Sequence, residues 1–135
     1  MSFNTLYSVD FDSSFTEVSK LEIIEFKGDD NKSKQYVNLR TFSKDEDKTK
    51  ATKNGICLTV EEMEAIFPKL DKLENFRIGT ERVISFQNLK PDNFYELELK
   101  KPFGTTQRMV FTPVQLQNLC AKKKKILKKC AEFSE

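Results

Sequence analysis

The sequence of 135 residues contains no histidine and no tryptophan, and only four glycines and four prolines. Without histidine, the chain has no Ser-His-Asp or Cys-His catalytic site and no histidine-ligated metal site. With so few glycines, no loop has the glycine-rich pattern that cradles phosphates. Cys57, Cys120 and Cys130 form no Cys-x-x-Cys pair, which argues against a zinc site and a disulfide framework and favours a reducing compartment. We therefore expect no enzyme, no metal and no cofactor, and we expect the cysteines to pack in the interior.

Long hydrophobic runs are also missing from the chain. No stretch approaches about 18 consecutive apolar residues, so we expect no membrane span. Residues 1–20 have neither a basic start nor an apolar run, so we expect no signal peptide and no secretion. Hydrophobic residues make up 38% and charged residues 33% of the chain, which suits one ordinary domain or two very small repeats around a modest core.

Charge is distributed unevenly along the chain, although the net charge is only +2. Residues 1–99 contain 14 basic and 19 acidic side chains, whereas residues 100–135 contain nine and two. Six lysines at residues 122–129 account for most of this basic excess. The asymmetry favours a basic partner surface near the C-terminus, of the kind that often binds nucleic acid. A solvated helix face and a nuclear localisation signal are the alternative explanations of the lysine run.

Strand-like and helix-like segments follow one another in the first half. Residues 1–19 lack a clean hydrophobic period, so we interpret them as an N-terminal tail that can contain a short strand or a packed turn. The segments 21–26, 36–42 and 56–58 are apolar or alternating, which is typical of strands. Thr59 then precedes a stripe of apolar residues at helical spacing, and Glu62 completes a capping box.

The same order of segments recurs after residue 79. At an offset of 53 residues, Thr112 corresponds to Thr59 and, with Gln115, forms a second capping box. One unit alone has too little core to be stable, so we expect residues 20–78 and 79–135 to share one core in a single compact domain. At an offset of 60 residues, the apolar positions of the first two strands recur as Val83, Ile84, Phe86, Leu97 and Leu99.

Three segments of the first unit carry a family resemblance. They are KLEIIEFKG at residues 20–28, KQYVNLRTF at residues 34–42 and KNGICLTVEEMEAIFPKLDKL at residues 53–73. These segments resemble the transcriptional coactivator family called positive cofactor four and its single-stranded DNA-binding relatives. The resemblance covers residues 20–76, whereas residues 81–133 share the pattern but not the motifs.

The resemblance implies an α+β fold of two repeats, each a curved antiparallel β-sheet followed by a kinked helix (ββββα). In that family two subunits pair through their helices. This chain carries both units, as Pur-alpha-like proteins do with related repeats, so we expect a pseudo-dimer within one chain. Further dimerisation stays open.

The resemblance also implies binding of single-stranded or melted DNA across the two sheets, with transcription or replication proteins as partners. The expected location is the nucleus, or the intracellular site of DNA transcription or replication for a viral protein. RNA stays open as a ligand. The alternative function is a protein-interaction adaptor of the same fold with weak or no nucleic-acid binding, which the acidic excess before residue 100 favours.

Seven residues are expected to bind nucleic acid because of this resemblance. Phe26 falls where the family stacks a phenylalanine on a base, and Arg40 falls on the arginine of the second strand. Two positions depart from the family, with Ser43 in place of a tryptophan and Asn54 in place of a lysine. The full set is Phe26, Lys27, Arg40, Phe42 and Lys53 in the first unit, and Phe86 and Lys100 in the second.

Alternation along the second strand supports an outward surface that is both aromatic and basic. Basic side chains neutralise phosphates, and aromatic faces stack on any base for roughly 1–3 kcal/mol each. From the residues alone, burial in the core is the better explanation of Phe26 and Phe86. If Val37 and Leu39 face the helix, the outward residues are Tyr36, Asn38, Arg40 and Phe42.

Overall fold

The computed structural model describes residues 2–29, 32–45, 48–89 and 94–133. Over these residues the chain forms eight strands and three helices. Four strands precede the first helix, and four more precede the second. In chain order the elements are β1 Ser2–Ser13, β2 Glu17–Lys27, β3 Ser33–Asp45, β4 Lys48–Thr59, α1 Val60–Asp71, β5 Phe76–Ile78, β6 Val83–Leu89, β7 Phe94–Lys100, β8 Gln107–Phe111, α2 Pro113–Ala121 and α3 Lys123–Phe133.

All eight strands belong to one antiparallel sheet, in the order β1-β2-β3-β4-β8-β7-β6-β5. The α+β class with an antiparallel sheet is therefore confirmed. The separate sheet expected for each repeat is wrong, because β4 and β8 join the two halves edge to edge. The pairing of the halves as a pseudo-dimer stays a prediction. No helix among the described residues is long and apolar enough to cross a membrane.

Side chains carry most of the junction between β4 and β8. Gly55 and Arg108 are the one registered backbone pair there. The Asn54 amide donates from Nδ2 to the Val110 carbonyl at 3.3 Å, and its Oδ1 accepts from the Val110 N–H at 2.7 Å. The Cys57 N–H donates to the Gln107 side chain at 2.9 Å. Asn54, which stands where the family has a lysine, therefore holds the two halves of the sheet together.

One face of the sheet is covered by the helices and forms the core. On β2 and β3 the buried positions alternate, and Leu21, Ile23, Val37 and Leu39 are all fully buried. Both predicted capping boxes are present. Thr59 Oγ1 accepts from the Glu62 N–H at 3.1 Å, and Thr112 and Gln115 repeat the arrangement.

The predicted N-terminal tail is wrong. Residues 2–13 form a twelve-residue strand at the sheet edge, paired with β2 along its length. Phe11 from this strand is 2% exposed in the core. The register shifts between Thr5 and Tyr7 and again between Asp10 and Asp12. Each irregularity moves the alternation to the other face, which explains why no period of two is visible in the sequence.

The predicted equivalence of Phe26 and Phe86 is also wrong. Ile23 pairs with Val37, and Phe86 pairs with Leu97. If Val37 and Leu97 correspond, as the sequence predicts, then Phe86 occupies the position of Ile23. The uniform offset of 60 therefore fails in this strand. The chain between the paired residues is three residues longer in the first hairpin than in the second, which places the similar apolar runs out of phase.

The second helical stripe is broken rather than continuous. The sequence predicted one helix from Thr112 to Phe133, but α2 ends at Ala121 and α3 begins at Lys123. No glycine or proline marks the break, so the sequence carries no stop signal there. The predicted core stripe nevertheless holds, since its members Leu116, Leu119, Ile126 and Cys130 are all buried.

Candidate nucleic-acid interface

The sheet face that points away from the helices is called the open face. Its residues on β2 and β3 alternate with the buried ones, so Lys20, Ile24 and Phe26 lie on it. Arg40 and Phe42 also lie on this face, opposite Leu39, as the alternation of the second strand predicted. Each of the five is half-buried and therefore accessible in part.

Aromatic side chains gather at one end of the open face. Phe3 of β1 is paired with Phe26 of β2, and their ring centroids are 5.1 Å apart at an interplanar angle of 58°. Phe3 is 67% exposed, so one face of its ring is open to solvent. Tyr36 lies beside Phe26, and both line the two cavities described next.

Two adjoining cavities form a groove over these rings, called here the aromatic groove. Phe26 and Tyr36 belong to both cavities and join them. One cavity has a volume of about 240 Å³, and its remaining lining residues are Gly28, Lys32 and Lys34. The other has a volume of about 370 Å³, and its remaining lining residues are Phe3, Ile24, Cys57, Arg82, Lys101 and Gln107.

Two of the groove cations come from the second half of the chain. Arg82 donates from Nε and Nη2 to the two carboxylate oxygens of Glu62, each at 2.9 Å. Burial opposes ionisation of Glu62, but the hydrogen bonds from Arg82 and from the Thr59 backbone outweigh it and lower the pKa of this carboxyl. The same ion pair neutralises much of the Arg82 charge. Lys101 is half-buried in the groove and supplies a second cation there.

Arg40 is held flat on the open face by two neighbours. Its Nη1 donates to the Thr52 carbonyl at 2.6 Å. A side chain at Gly55 would collide with Arg40, because a Cβ there would lie 2.6 Å from the guanidinium carbon. The missing side chain of Gly55 therefore sets the position of the arginine.

The other three residues predicted in the first unit lie in different places. Phe42 is on the open face, with the Lys20 ammonium 5.7 Å from its ring centroid. Lys27 is exposed at the end of β2, and alternation places it on the face opposite Phe26. Lys53 is exposed in the irregular stretch of β4 between the paired residues Ala51 and Gly55. The structure thus brings Phe26 to the groove, with Arg40 and Phe42 farther along the same face.

Phe86 is a core residue, which corrects its predicted role in base stacking. It is 1% exposed and lies between Phe76 and Tyr95, with ring centroids 5.5 and 5.6 Å away. A ring enclosed on both faces presents no surface to a base. Lys100 is exposed, as predicted, but its Nζ lies 3.7 Å from the Glu98 carboxylate, which offsets part of its charge.

The open face of the second half carries mutually neutralising charges. Arg108 Nε lies 2.8 Å from the Glu98 carboxylate and 4.0 Å from that of Glu96. These acidic groups lie on β7 at the positions that Tyr36 and Asn38 occupy on β3 in the first half. The second half therefore adds little net positive charge to the open face. The groove belongs to the first half, with Arg82 and Lys101 added from the second.

The sequence did not single out several of the groove residues. The alternation of β3 predicts that Tyr36 faces outward, and this alternation is the signal in the sequence that points to Tyr36. Phe3 was hidden because β1 was interpreted as a tail. Arg82 and Lys101 lie in the groove because the junction of β4 with β8 brings the second half beside the first. No local pattern in the sequence predicts that junction. The residues added by the structure are Phe3, Lys32, Lys34, Tyr36, Arg82 and Lys101.

The cysteine thiols have raised pKa values. Burial raises the pKa of Cys57 in spite of the nearby cations, and it raises the pKa of Cys120 and Cys130 to about 11. All three are therefore protonated and weakly nucleophilic near neutral pH. The described residues contain no group of three or more His, Cys, Asp or Glu side chains that could hold a metal ion.

Residues 14–67 match the family model described as Transcriptional Coactivator p15 (PC4). The matched segment includes β2, β3, β4 and the first two turns of α1, and it carries Phe26, Tyr36 and Arg40. The family resemblance predicted for this part of the chain is confirmed. The family comprises DNA-binding transcription coactivators that are not enzymes. No second match supports the tandem repeat, and no curated protein matches the chain.

Proposed function

We propose that this protein binds single-stranded or melted DNA in the aromatic groove and acts in transcription or replication. The observation that carries the proposal is the meeting of three aromatic rings, Phe3, Phe26 and Tyr36, with lysines along one groove. That groove is built largely by the segment that matches a family of DNA-binding coactivators. RNA remains an alternative ligand. The site of action we propose is the nucleus, or the intracellular site of DNA transcription or replication for a viral protein.

The chemistry of the groove suits a flexible single strand. Bases that have left the duplex can stack on the exposed rings, and every base has a face that stacks. Lys32, Lys34 and Lys101 line the same groove and can neutralise the phosphates that follow the bases. Neither contact reads base edges, so we expect little sequence preference.

A paired substitution tests this function. Phe3→Ala with Phe26→Ala should weaken single-strand binding by about tenfold or more, because each lost stacking contact is worth roughly 1–3 kcal/mol. The measurement is fluorescence anisotropy with a labelled oligonucleotide at fixed salt. The matched control is Phe15→Ala, since Phe15 is 98% exposed in the turn at the other end of the β1–β2 hairpin. Equal affinities of the double variant and the control would rule out stacking in the groove.

The second candidate is a protein-interaction adaptor of the same fold. The paired acidic and basic groups on the open face of the second half favour it, since they leave no net positive field for DNA there. A salt titration separates the two candidates. Single-strand binding with a steep dependence on salt supports the first, and no binding at low salt supports the second.

A further inference from the structure

The helical side of the molecule carries a second positive surface, whereas the aromatic groove lies on the open face of the sheet. Residues 113–133 contain six lysines and one glutamate. Lys124, Lys125 and Lys128 are exposed on α3, and none of them has a carboxylate partner among the residues that the structure describes. We call these three residues the lysine patch. Lys124 and Lys125 are four and three residues before Lys128, so their side chains lie beside that of Lys128 on the helix surface.

Two of the other three lysines of this segment are already engaged, and the third, Lys122, is half-buried at the end of α2. Lys123 Nζ lies 2.8 Å from the Asp71 carboxylate, which ties α3 to α1. Lys129 lies 3.4 Å from Glu132, and its ammonium is 5.8 Å from the Tyr7 ring centroid. These contacts explain two lysines as structural. They leave the lysine patch without such an explanation.

The lysine patch works against the stability of its own helix. Two of its lysines lie in the first turn of α3, where the helix dipole favours acidic side chains, and that turn contains none. Lys124 and Lys128 are also four residues apart, a spacing at which like charges repel each other. A bound polyanion would relieve both unfavourable interactions.

We propose that the lysine patch is a second nucleic-acid site, which binds the phosphate backbone of duplex DNA. The exposed members of the patch are all lysines, so this surface offers phosphate contacts without base stacking. Duplex DNA carries about one charge per 1.7 Å of its axis and gains most from such contacts. The duplex titrations that test the proposal do not depend on the aromatic groove being a DNA site, whereas the test with saturating single strand rests on the proposed function.

The positions of the two surfaces allow them to be occupied at the same time. Ile126 and Cys130 bury one side of α3 in the core beside α1 and α2, on the covered side of the sheet. The aromatic groove lies on the opposite, open face. A molecule with both sites occupied would hold a duplex on its helical side and a single strand on its sheet, as occurs at the edge of a melted region.

The test compares two triple variants with equal loss of charge. The first is Lys124→Gln, Lys125→Gln and Lys128→Gln. The control is Lys50→Gln, Lys69→Gln and Arg77→Gln, which removes three exposed cations from other elements. Each protein is titrated with a labelled duplex of about 20 base pairs, roughly two helical turns, and with a single strand of the same sequence. The titrations are repeated over a range of salt concentrations.

The patch variant should bind duplex at least about tenfold more weakly at low salt than the control variant does. Its salt slope for duplex should fall by about three, because each phosphate contact contributes about one. Its affinity for the single strand should equal that of the control. Equal duplex affinities of the two variants would overturn the proposal, and so would a parallel loss of both ligands in the patch variant.

Two further measurements keep the proposal testable on other grounds. Wild-type protein saturated with single strand should still bind labelled duplex, and failure of this second binding would overturn the proposal even if the patch variant did not fold. The second measurement replaces DNA with an anionic membrane, in the form of phosphatidylcholine vesicles with about 30% phosphatidylserine. Tighter binding of wild-type protein to these vesicles than to duplex would assign the patch to a membrane surface and overturn the proposal.

Discussion

Arg40 owes its position to the residue beside it that has no side chain. The guanidinium lies over Gly55, where a Cβ would fall within 2.6 Å of it, and it is bonded to the Thr52 carbonyl. One donor is used by the protein, and the other N–H groups of an arginine can serve a phosphate. A single glycine therefore decides where the Arg40 guanidinium lies on this part of the sheet.

Replacement of this glycine should act through the arginine. Gly55→Ala should displace Arg40, destabilise the fold by roughly 1–3 kcal/mol through overpacking, and weaken single-strand binding. In the double variant Gly55→Ala with Arg40→Ala, the added methyl group has room, so its cost to stability should largely disappear. Urea denaturation of the two single variants and the double variant measures this coupling. Additive losses would show that Gly55 is required for another reason.

Glu62 gives the second residue-scale prediction, which concerns pH. Burial raises the pKa of this carboxyl, but the hydrogen bonds from Arg82 and Thr59 together with the charge of Arg82 outweigh burial and lower the pKa in the folded protein. A carboxyl with a lowered folded pKa stabilises the fold above its unfolded pKa, and this stabilisation is lost as the pH falls through the folded pKa.

The variant Glu62→Gln isolates the ion pair, because glutamine can keep the capping box, as Gln115 does in the second half. Wild-type protein should lose more stability than Glu62→Gln between about pH 5 and pH 3. Denaturation curves at several pH values measure the difference. Parallel pH profiles of the two proteins would show that the Arg82 pair contributes nothing to stability.

Individual elements differ in how much their sequences reveal. The outward and inward faces of β3 and the two capping boxes were predicted, because each depends on residues close together in the chain. The strand β1 was missed because two register shifts interrupt its alternation. In β6 the apolar residues were recognised, but their phase depends on the length of a hairpin connection, which local periodicity does not report.

The first turn of α3 provides a prediction at the scale of an element. Lys124→Glu places a favourable charge at the positive end of the helix dipole and removes the repulsion with Lys128. It should stabilise the protein by about 0.3–1 kcal/mol and raise the melting temperature by roughly 1–4 °C. Lys69→Glu, in the last turn of α1, is the control and should lower stability. Thermal denaturation at low salt measures both, and equal shifts of the same sign would contradict the dipole argument.

At the scale of the whole molecule, the two halves contribute unequally to one surface. The first half supplies the aromatic rings, and the second supplies Arg82 and Lys101 through the junction between β4 and β8. The remainder of the second open face is neutralised by Glu96 and Glu98. The central strands β2, β3, β6 and β7 could be predicted from each half alone, whereas β1 could not. The composition of the groove could not, because it depends on how the halves join.

The acidic groups of the second half should restrict DNA to the groove. Glu98→Gln releases Arg108 and Lys100 from their shared partner, so single-strand affinity at low salt should rise by roughly twofold to tenfold and the salt slope should steepen. Glu74→Gln removes one exposed acidic charge elsewhere and serves as the control. Anisotropy titrations at two salt concentrations measure the effect. An equal rise of single-strand affinity in both variants would show that only the net charge of the protein matters.

The central claim is that the aromatic groove selects single-stranded DNA by stacking rather than by charge. Competition at fixed salt tests it most directly, with wild-type protein bound to a labelled single strand and challenged by unlabelled single strand or unlabelled duplex of the same sequence. The account predicts that the single strand displaces the label and that an equal concentration of duplex does not, because duplex bases are closed to Phe3, Phe26 and Tyr36. If duplex displaced the label as effectively as single strand does, the claim of selection by stacking would be contradicted. Binding would then be explained by the attraction of phosphates to surface lysines.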